Sequence, residues 1–118
     1  NKNKIYSAEK LEGFWETNPS NNCGLLFTEN KMLISYCRVG SSRINNTEFV
    51  DCVIPHISLF KYDLESDTIY GHGVLQHLSQ DSLVIQSFYG ESKKYIHSKD
   101  QSTPVYVESI KIYIYIKK

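Results

Sequence analysis

Four histidines, His56, His72, His77 and His97, are the side chains best suited to metal ligation or to proton transfer near neutral pH. Only His72 and His77 are close in sequence, and their odd offset puts them on opposite faces of an extended chain, so one strand does not offer both to one ion. No nucleophile elbow, phosphate loop or zinc-protease helix motif accompanies them. The expectation is therefore no catalytic residue, no metal, no cofactor and no enzymatic activity. His72 has a second reading. Gly71 and Gly73 flank it, and glycines inside a strand pattern mark a bulge or a close backbone approach. Turned inward, His72 would place one polar group in a cavity.

Other chemistry-bearing types argue for less. Asp63, Glu65 and Asp67 alternate like the start of a calcium loop, but the glycine and closing glutamate of that loop are absent, which leaves a solvated acidic turn. The cysteines, Cys23, Cys37 and Cys52, contain no C-x-x-C and do not make a zinc site. Cys23 and Cys37 lie symmetrically about Asn30, so a hairpin there could set them face to face. The reading preferred over that bond is three buried free thiols acting as small hydrophobes.

Aromatic residues remain. Tyr36, Phe60, Tyr62, Tyr70, Tyr89 and Tyr95 fall on central strand-type runs. Each tyrosine offers a flat apolar surface and one hydrogen bond, a combination that suits an amphipathic ligand. The same residues are also good strand formers. Trp15, the only tryptophan, follows Gly13 by two positions and is read as a plug of the fold's interior.

These residues need elements to position them. The chain has 118 residues, enough for one domain spanning residues 1–118. Lys and Arg balance Asp and Glu at 13 each, which argues against a nucleic-acid partner. No stretch approaches the ~20 apolar residues of a membrane span. Ser7 caps a short helical turn over Ala8, Glu9 and Lys10. Beyond Leu11 the pattern is of strands: Leu11–Thr17, Cys23–Thr28, Met32–Val39, Ile57–Tyr62 (with Phe49–Ile54 leading in and Pro55 as a break), Thr68–Leu75, Ser82–Tyr89, Lys93–His97 and Val105–Lys117. The turns include Asn18-Pro19-Ser20-Asn21-Asn22 and Glu29-Asn30-Lys31, while Gly40 to Asn46 reads as a loop. Alternation puts Leu11, Gly13 and Trp15 on one face, and Ile110, Ile112, Ile114 and Ile116 on one face opposite Tyr113, Tyr115 and Lys117. About eight antiparallel strands joined by short turns predict an all-β fold, an up-and-down barrel, with a two-sheet sandwich as the alternative.

Leu11-x-Gly13-x-Trp15 at the opening strand resembles the start of lipocalin-like (calycin) domains, in particular the small bacterial ones of secreted proteins and lipoproteins in Bacteroidetes. Leu26-Phe27-Thr28-Glu29-Asn30-Lys31-Met32 is similar to their Phe-Thr hairpin. Leu78-Ser79-Gln80-Asp81-Ser82-Leu83-Val84-Ile85 is similar to their Leu-Ser-x-Asp-x-Leu turn, and Lys93-Lys94-Tyr95-Ile96-His97 to their closing strand. Lipocalins proper pack an arginine over the tryptophan; here neither Arg38 nor Arg43 follows the last strand, and Lys117 or Lys118 is the substitute expected.

The resemblance implies non-enzymatic binding of a small apolar or amphipathic molecule inside the barrel. Trp15, Phe27, Tyr36, Phe60, Tyr62, His72, Tyr89 and Tyr95 are the candidate ligand-binding residues. It also implies export to the periplasm or cell surface, with a lipid anchor before residue 1. The alternative is a filled barrel that binds a protein partner, or a second copy, through the Tyr113/Tyr115 row of the closing strand.

Overall fold

Runs of β-branched and aromatic residues broken by Asn, Gly and Ser leave the chain little but strands to form. The computed structural model describes residues 8–17, 22–63, 65–98, 104–108 and 110–114. After a short 3-10 turn at Ala8–Leu11 come β1 (Gly13–Thr17), β2 (Cys23–Phe27), β3 (Met32–Ile44), β4 (Thr47–Leu59), β5 (Tyr62–Asp63), β6 (Thr68–Ile69), β7 (Gly73–Leu78), β8 (Ser82–Gln86), β9 (Ser92–His97), β10 (Val105–Val107) and β11 (Ile112–Ile114). The all-β class is as expected. The expected Ser7 cap, the turn residues 18–21 and the positions Tyr115, Ile116, Lys117 and Lys118 lie outside the described residues.

All strands belong to one sheet in the order β11-β10-β4-β3-β2-β1-β9-β8-β7-β6-β5. β1 pairs antiparallel with both β2 and β9, which joins the N-terminal hairpins to the later meander, and Trp15 sits between Leu25 on one side and His97 on the other. The Glu29-Asn30-Lys31 turn forms as expected: Thr28 N–H donates to the Met32 carbonyl (3.0 Å), and Met32 N–H donates to the Thr28 hydroxyl (3.0 Å).

β1, β2 and the first half of β3 contribute buried residues on both faces. One face carries Leu11, Trp15, Leu25, Phe27 and Leu33, which meet Ile69, Leu75, Leu83, Ile85 and Tyr95. The other carries Phe14, Leu26, Ile34 and Tyr36, which meet Cys52 and Val105. The second cluster depends on β10, which pairs parallel with β4 over Val105↔Val50 to Val107↔Cys52 and brings Val105 onto it.

The expectation is a closed barrel of about eight strands; among the described residues the sheet is not closed and has eleven strands, and the difference in strand number has local causes. Phe49 to Leu59 runs through Pro55 within β4, because the pairing with β3 passes irregularly from Cys37↔Val53 to Ser35↔His56, and proline is tolerated at such an irregularity. The expected loop after Val39 is strand as far as Ile44. Asn45 and Asn46, both left-handed at φ 50° and 66°, make the tight turn that returns the chain as β4. Thr68 to Leu75 is divided by the turn Tyr70-Gly71-His72, across which β6 and β7 pair. Val105 to Ile114 folds into the hairpin β10–β11, with Lys111 left-handed at φ 54°. The isoleucine row therefore spans no single strand: Ile110 lies in the turn, and Ile112 is half exposed. Tyr113, which would join an aromatic patch if it faced solvent, is partly buried and packs on Phe49 (4.2 Å) and Tyr106 (5.0 Å).

Candidate functional site

The inward face of the meander is not filled at the end formed by the β8–β9 turn. A cavity of about 430 Å³ opens there. Its floor is apolar: Leu25 from β2, Ile85 from β8 and the ring of Tyr95 from β9, all buried. The pairings Ile85↔Lys93 and Leu83↔Tyr95 place the floor residues of β8 and β9 beside one another. Its walls and rim are polar, with His72 and Ser87 partly buried and Tyr89, Glu91 and Lys93 exposed. Tyr89 is 96% exposed, so the opening lies on its side.

Local structure fixes this arrangement. Ser87 anchors the β8–β9 turn: its N–H donates to the Glu91 carbonyl (2.6 Å), its carbonyl accepts from Gly90 N–H (3.0 Å), and its hydroxyl accepts from Tyr89 N–H (3.3 Å). The neighbouring β6–β7 turn lies close against it, because any Cβ on Gly73 would run into the Gln86 carbonyl and the Ser87 Cα. That is the close approach the paired glycines around His72 predicted. It holds His72 at the cavity wall, with His72 N–H donating to the Ile69 carbonyl (3.0 Å).

The imidazole of His72 reaches across to β4. Its Nε2 lies 3.5 Å from the Ser58 hydroxyl, and its ring stands edge-on to His56 at 5.8 Å between centroids. Burial first, and the neighbouring His56 second, hold the His72 pKa below its ordinary value. At neutral pH the cavity wall therefore presents an uncharged hydrogen-bonding ring. Burial likewise raises the pKa of the Tyr95 phenol, which stays protonated on the floor.

Of the eight residues expected to bind ligand, His72, Tyr89 and Tyr95 line the cavity. The other five lie elsewhere. Trp15 is buried in the first core cluster, donates its indole N–H to the Leu11 carbonyl (2.8 Å) and is covered by His97 at 4.6 Å. Lys117 and Lys118, the cations expected over the indole, lie outside the described residues. Phe27 meets Phe60 edge-to-face at 5.2 Å, Phe60 stacks on Tyr62 at 6.4 Å, and the Tyr62 hydroxyl donates to Asp67 (2.8 Å). Tyr36 is on the opposite face of the sheet, edge-to-face with Phe14 at 5.3 Å and with the Arg38 guanidinium 5.8 Å from its ring centre. Leu25, Ile85, Ser87, Glu91 and Lys93 were not anticipated. Leu83, Ile85 and Ser87 share a face by alternation, but alternation does not say which face turns inward; Glu91 and Lys93 carry charge and left no apolar signal.

Other groups singled out in the sequence are absorbed by structure. The Asp63 carboxylate accepts from Glu65 N–H (2.9 Å) and the Ser66 hydroxyl (2.9 Å), bonds that lower its pKa and close the acidic turn. Among the described residues no three His, Cys, Asp or Glu side chains converge to hold a metal ion. Cys23 and Cys37 form a disulfide, a correction to the free-thiol reading: a register centred on Asn30 sets them directly opposite each other on β2 and β3. Cys52 is a free buried thiol whose pKa burial pushes up to about 11. On the sheet's other face Glu16 pairs with Arg38 (3.1 Å) and accepts from the Ser98 hydroxyl (3.0 Å), which ties β1, β3 and the end of β9 together.

Among the described residues no helix is long and apolar enough to cross a membrane. No known family, no curated protein and no solved structure matches this chain.

Proposed function

We propose that this chain is a lipocalin-like domain that binds one small apolar or amphipathic molecule, without chemical conversion, in the cavity between β2, β8 and β9. The observation that carries this reading is a cavity of about 430 Å³ with an apolar floor and a polar rim. That size falls within the roughly 300–1,000 Å³ typical of ligand pockets. Affinity comes from apolar ligand surface removed from water, at roughly 25 cal/mol per Å². His72, Ser87 and the rim charges Glu91 and Lys93 set the ligand's orientation. The β1–β9 meander supplies the framework of a lipocalin-like barrel that stays unlaced between β4 and β5. Export from the cytoplasm is the matching location, because the Cys23–Cys37 bond persists in an oxidising compartment. A protein-binding role through the C-terminal strand has less support, since Tyr113 is engaged by Phe49 and Tyr106.

A thermal-shift screen with fatty acids, haem and bile-acid-like amphiphiles tests the reading. A ligand at about 100 times its Kd adds roughly 2.7 kcal/mol of stability, which raises the melting temperature by about 10 °C. No stabilisation by any of the three classes at saturating concentration overturns it.

A further inference from the structure

Among the described residues the sheet is open along one edge of β4, and this edge is its seam. β10 pairs with β4 only over Val50 to Cys52, and in the sheet order β4 has no strand partner among β5, β6 and β7. Where β4 passes the β6–β7 turn, His56 and Ser58 on β4 meet His72 on the turn through their side chains, and a backbone bond, Tyr70 N–H to the Lys61 carbonyl (3.0 Å), lies just beyond the end of β4. His72 is also a wall of the cavity. We propose that His56 and His72 form a proton-operated latch on this seam, so that protonating the pair parts β4 from the β6–β7 turn and opens the cavity. That opening releases cargo rests on the ligand-binding reading; the opening itself does not.

The chemistry follows from the geometry. A neutral imidazole accepts through one nitrogen, so Nε2 of His72 can take the Ser58 hydroxyl proton in a hydrogen bond. A protonated imidazole only donates, and two imidazolium rings 5.8 Å apart repel one another. His56 and Ser58 from β4 contact the His72 ring, and Ser87, Tyr89 and Glu91 from the β8–β9 turn and Lys93 and Tyr95 from β9 share the cavity with it. The charged rim residues Glu91 and Lys93 are opposite in sign and exposed, where water screens them. β3 sets the uncharged Ser35 opposite His56. Burial and the partner histidine therefore decide the balance, and both favour the neutral ring in the closed state.

The sign is definite. His72 in the closed state titrates below its ordinary value of 6.5, so the open state binds more protons once the pH falls through that value. The closed state is fully favoured above about pH 7.5 and loses ground as the pH drops below about 6.5. A seam held mainly by side chains, with few backbone bonds, is the part of the sheet that opens at least cost.

Two measurements on the whole chain test the latch. Amide hydrogen exchange, corrected for intrinsic rates, is followed at residues 53–59 and 69–74 at pH about 7.5 and about 5.5. Affinity for N-phenyl-1-naphthylamine, an apolar fluorophore that stays neutral over this range, is measured under the same conditions. In the wild type, exchange at the seam accelerates at the lower pH and probe affinity falls about five- to tenfold. In H56Q/H72Q both become independent of pH. H56Q alone, at the more exposed ring, carries the test if the double variant does not fold, and it shows less than half of the wild-type response. Unchanged seam exchange in the wild type overturns the latch, as does a full pH response in either variant. A probe bound equally well at both pH values overturns the latch and leaves ligand binding standing. Seam opening with no probe bound at either pH upholds the latch and overturns ligand binding.

Discussion

Trp15 is held by three neighbours that act on different parts of it. Leu11 accepts the indole proton, His97 covers the ring, and Gly24 lies against the backbone carbonyl. Gly24 is the least replaceable of the three. A Cβ there would overlap the Trp15 carbonyl oxygen and lie 3.0 Å from the Tyr36 hydroxyl, so both core clusters would be displaced together. Backbone cannot turn aside as a long side chain can. Gly24→Ala is expected to lower stability by about 1–3 kcal/mol, the usual cost of overpacking. Gly40→Ala is the control, because nothing lies within 4 Å of its Cβ, and its effect stays within about 0.5 kcal/mol. Urea unfolding midpoints for the two variants check this; equal midpoints would mean that β1 and β2 are not in close approach at Gly24.

At the scale of elements, the disulfide and the hairpins show what local sequence can and cannot specify. The β2–β3 hairpin was legible because Asn30 centres a tight turn between apolar runs, and the pairing of Cys23 with Cys37 follows from that centre alone. The bond itself was not legible, since spacing cannot say whether two facing thiols are oxidised. β10 and β11 read as one strand in the sequence because no Gly or Pro marks a turn between Val105 and Lys117. The turn at Lys111 is made by backbone conformation, not by a Gly or Pro signal. His72 was legible as a cavity residue through its glycines, whereas Ser87 and Lys93 reach the cavity only through the pairing of β8 with β9. The crosslink leads to a prediction at this scale. Its sequence separation is 14, for which loop-closure entropy gives about 3 kcal/mol of stabilisation. Cys23→Ser/Cys37→Ser, or reduction of the wild type, is expected to lower the urea-unfolding free energy by about 2–3 kcal/mol. A drop of under about 0.5 kcal/mol would show that the unfolded chain is already confined by residual β2–β3 structure.

The whole molecule divides its apolar residues between two faces of one sheet, and the division explains why one side keeps an opening. The second cluster is closed over by β10 and β11, with Val50, Ile54 and Ile114 packed around it. The first is closed only where Trp15, Phe27 and Leu33 meet Ile69 and Leu75; toward the β8–β9 turn its lining gives way to Ser87, Glu91 and Lys93, which cannot fill an interior. The cavity is therefore expected to be separable from the core. Ser87→Phe places an apolar ring into the space from a partly buried position on the wall, and the loss of one bond from Tyr89 N–H is small because that bond is exposed. The variant should still fold, because the two backbone bonds of Ser87 that close the turn do not need its side chain, and losing the hydroxyl bond costs no more than about 1 kcal/mol, or roughly 4 °C in melting temperature. Affinity for any ligand found in the thermal-shift screen should fall at least about tenfold, the loss expected when roughly 1.4 kcal/mol of burial is denied. Titration calorimetry of wild type and variant with that ligand decides the point. Unchanged affinity in a folded Ser87→Phe protein would place the ligand elsewhere, and a melting temperature lowered by many degrees would show that the cavity wall belongs to the core.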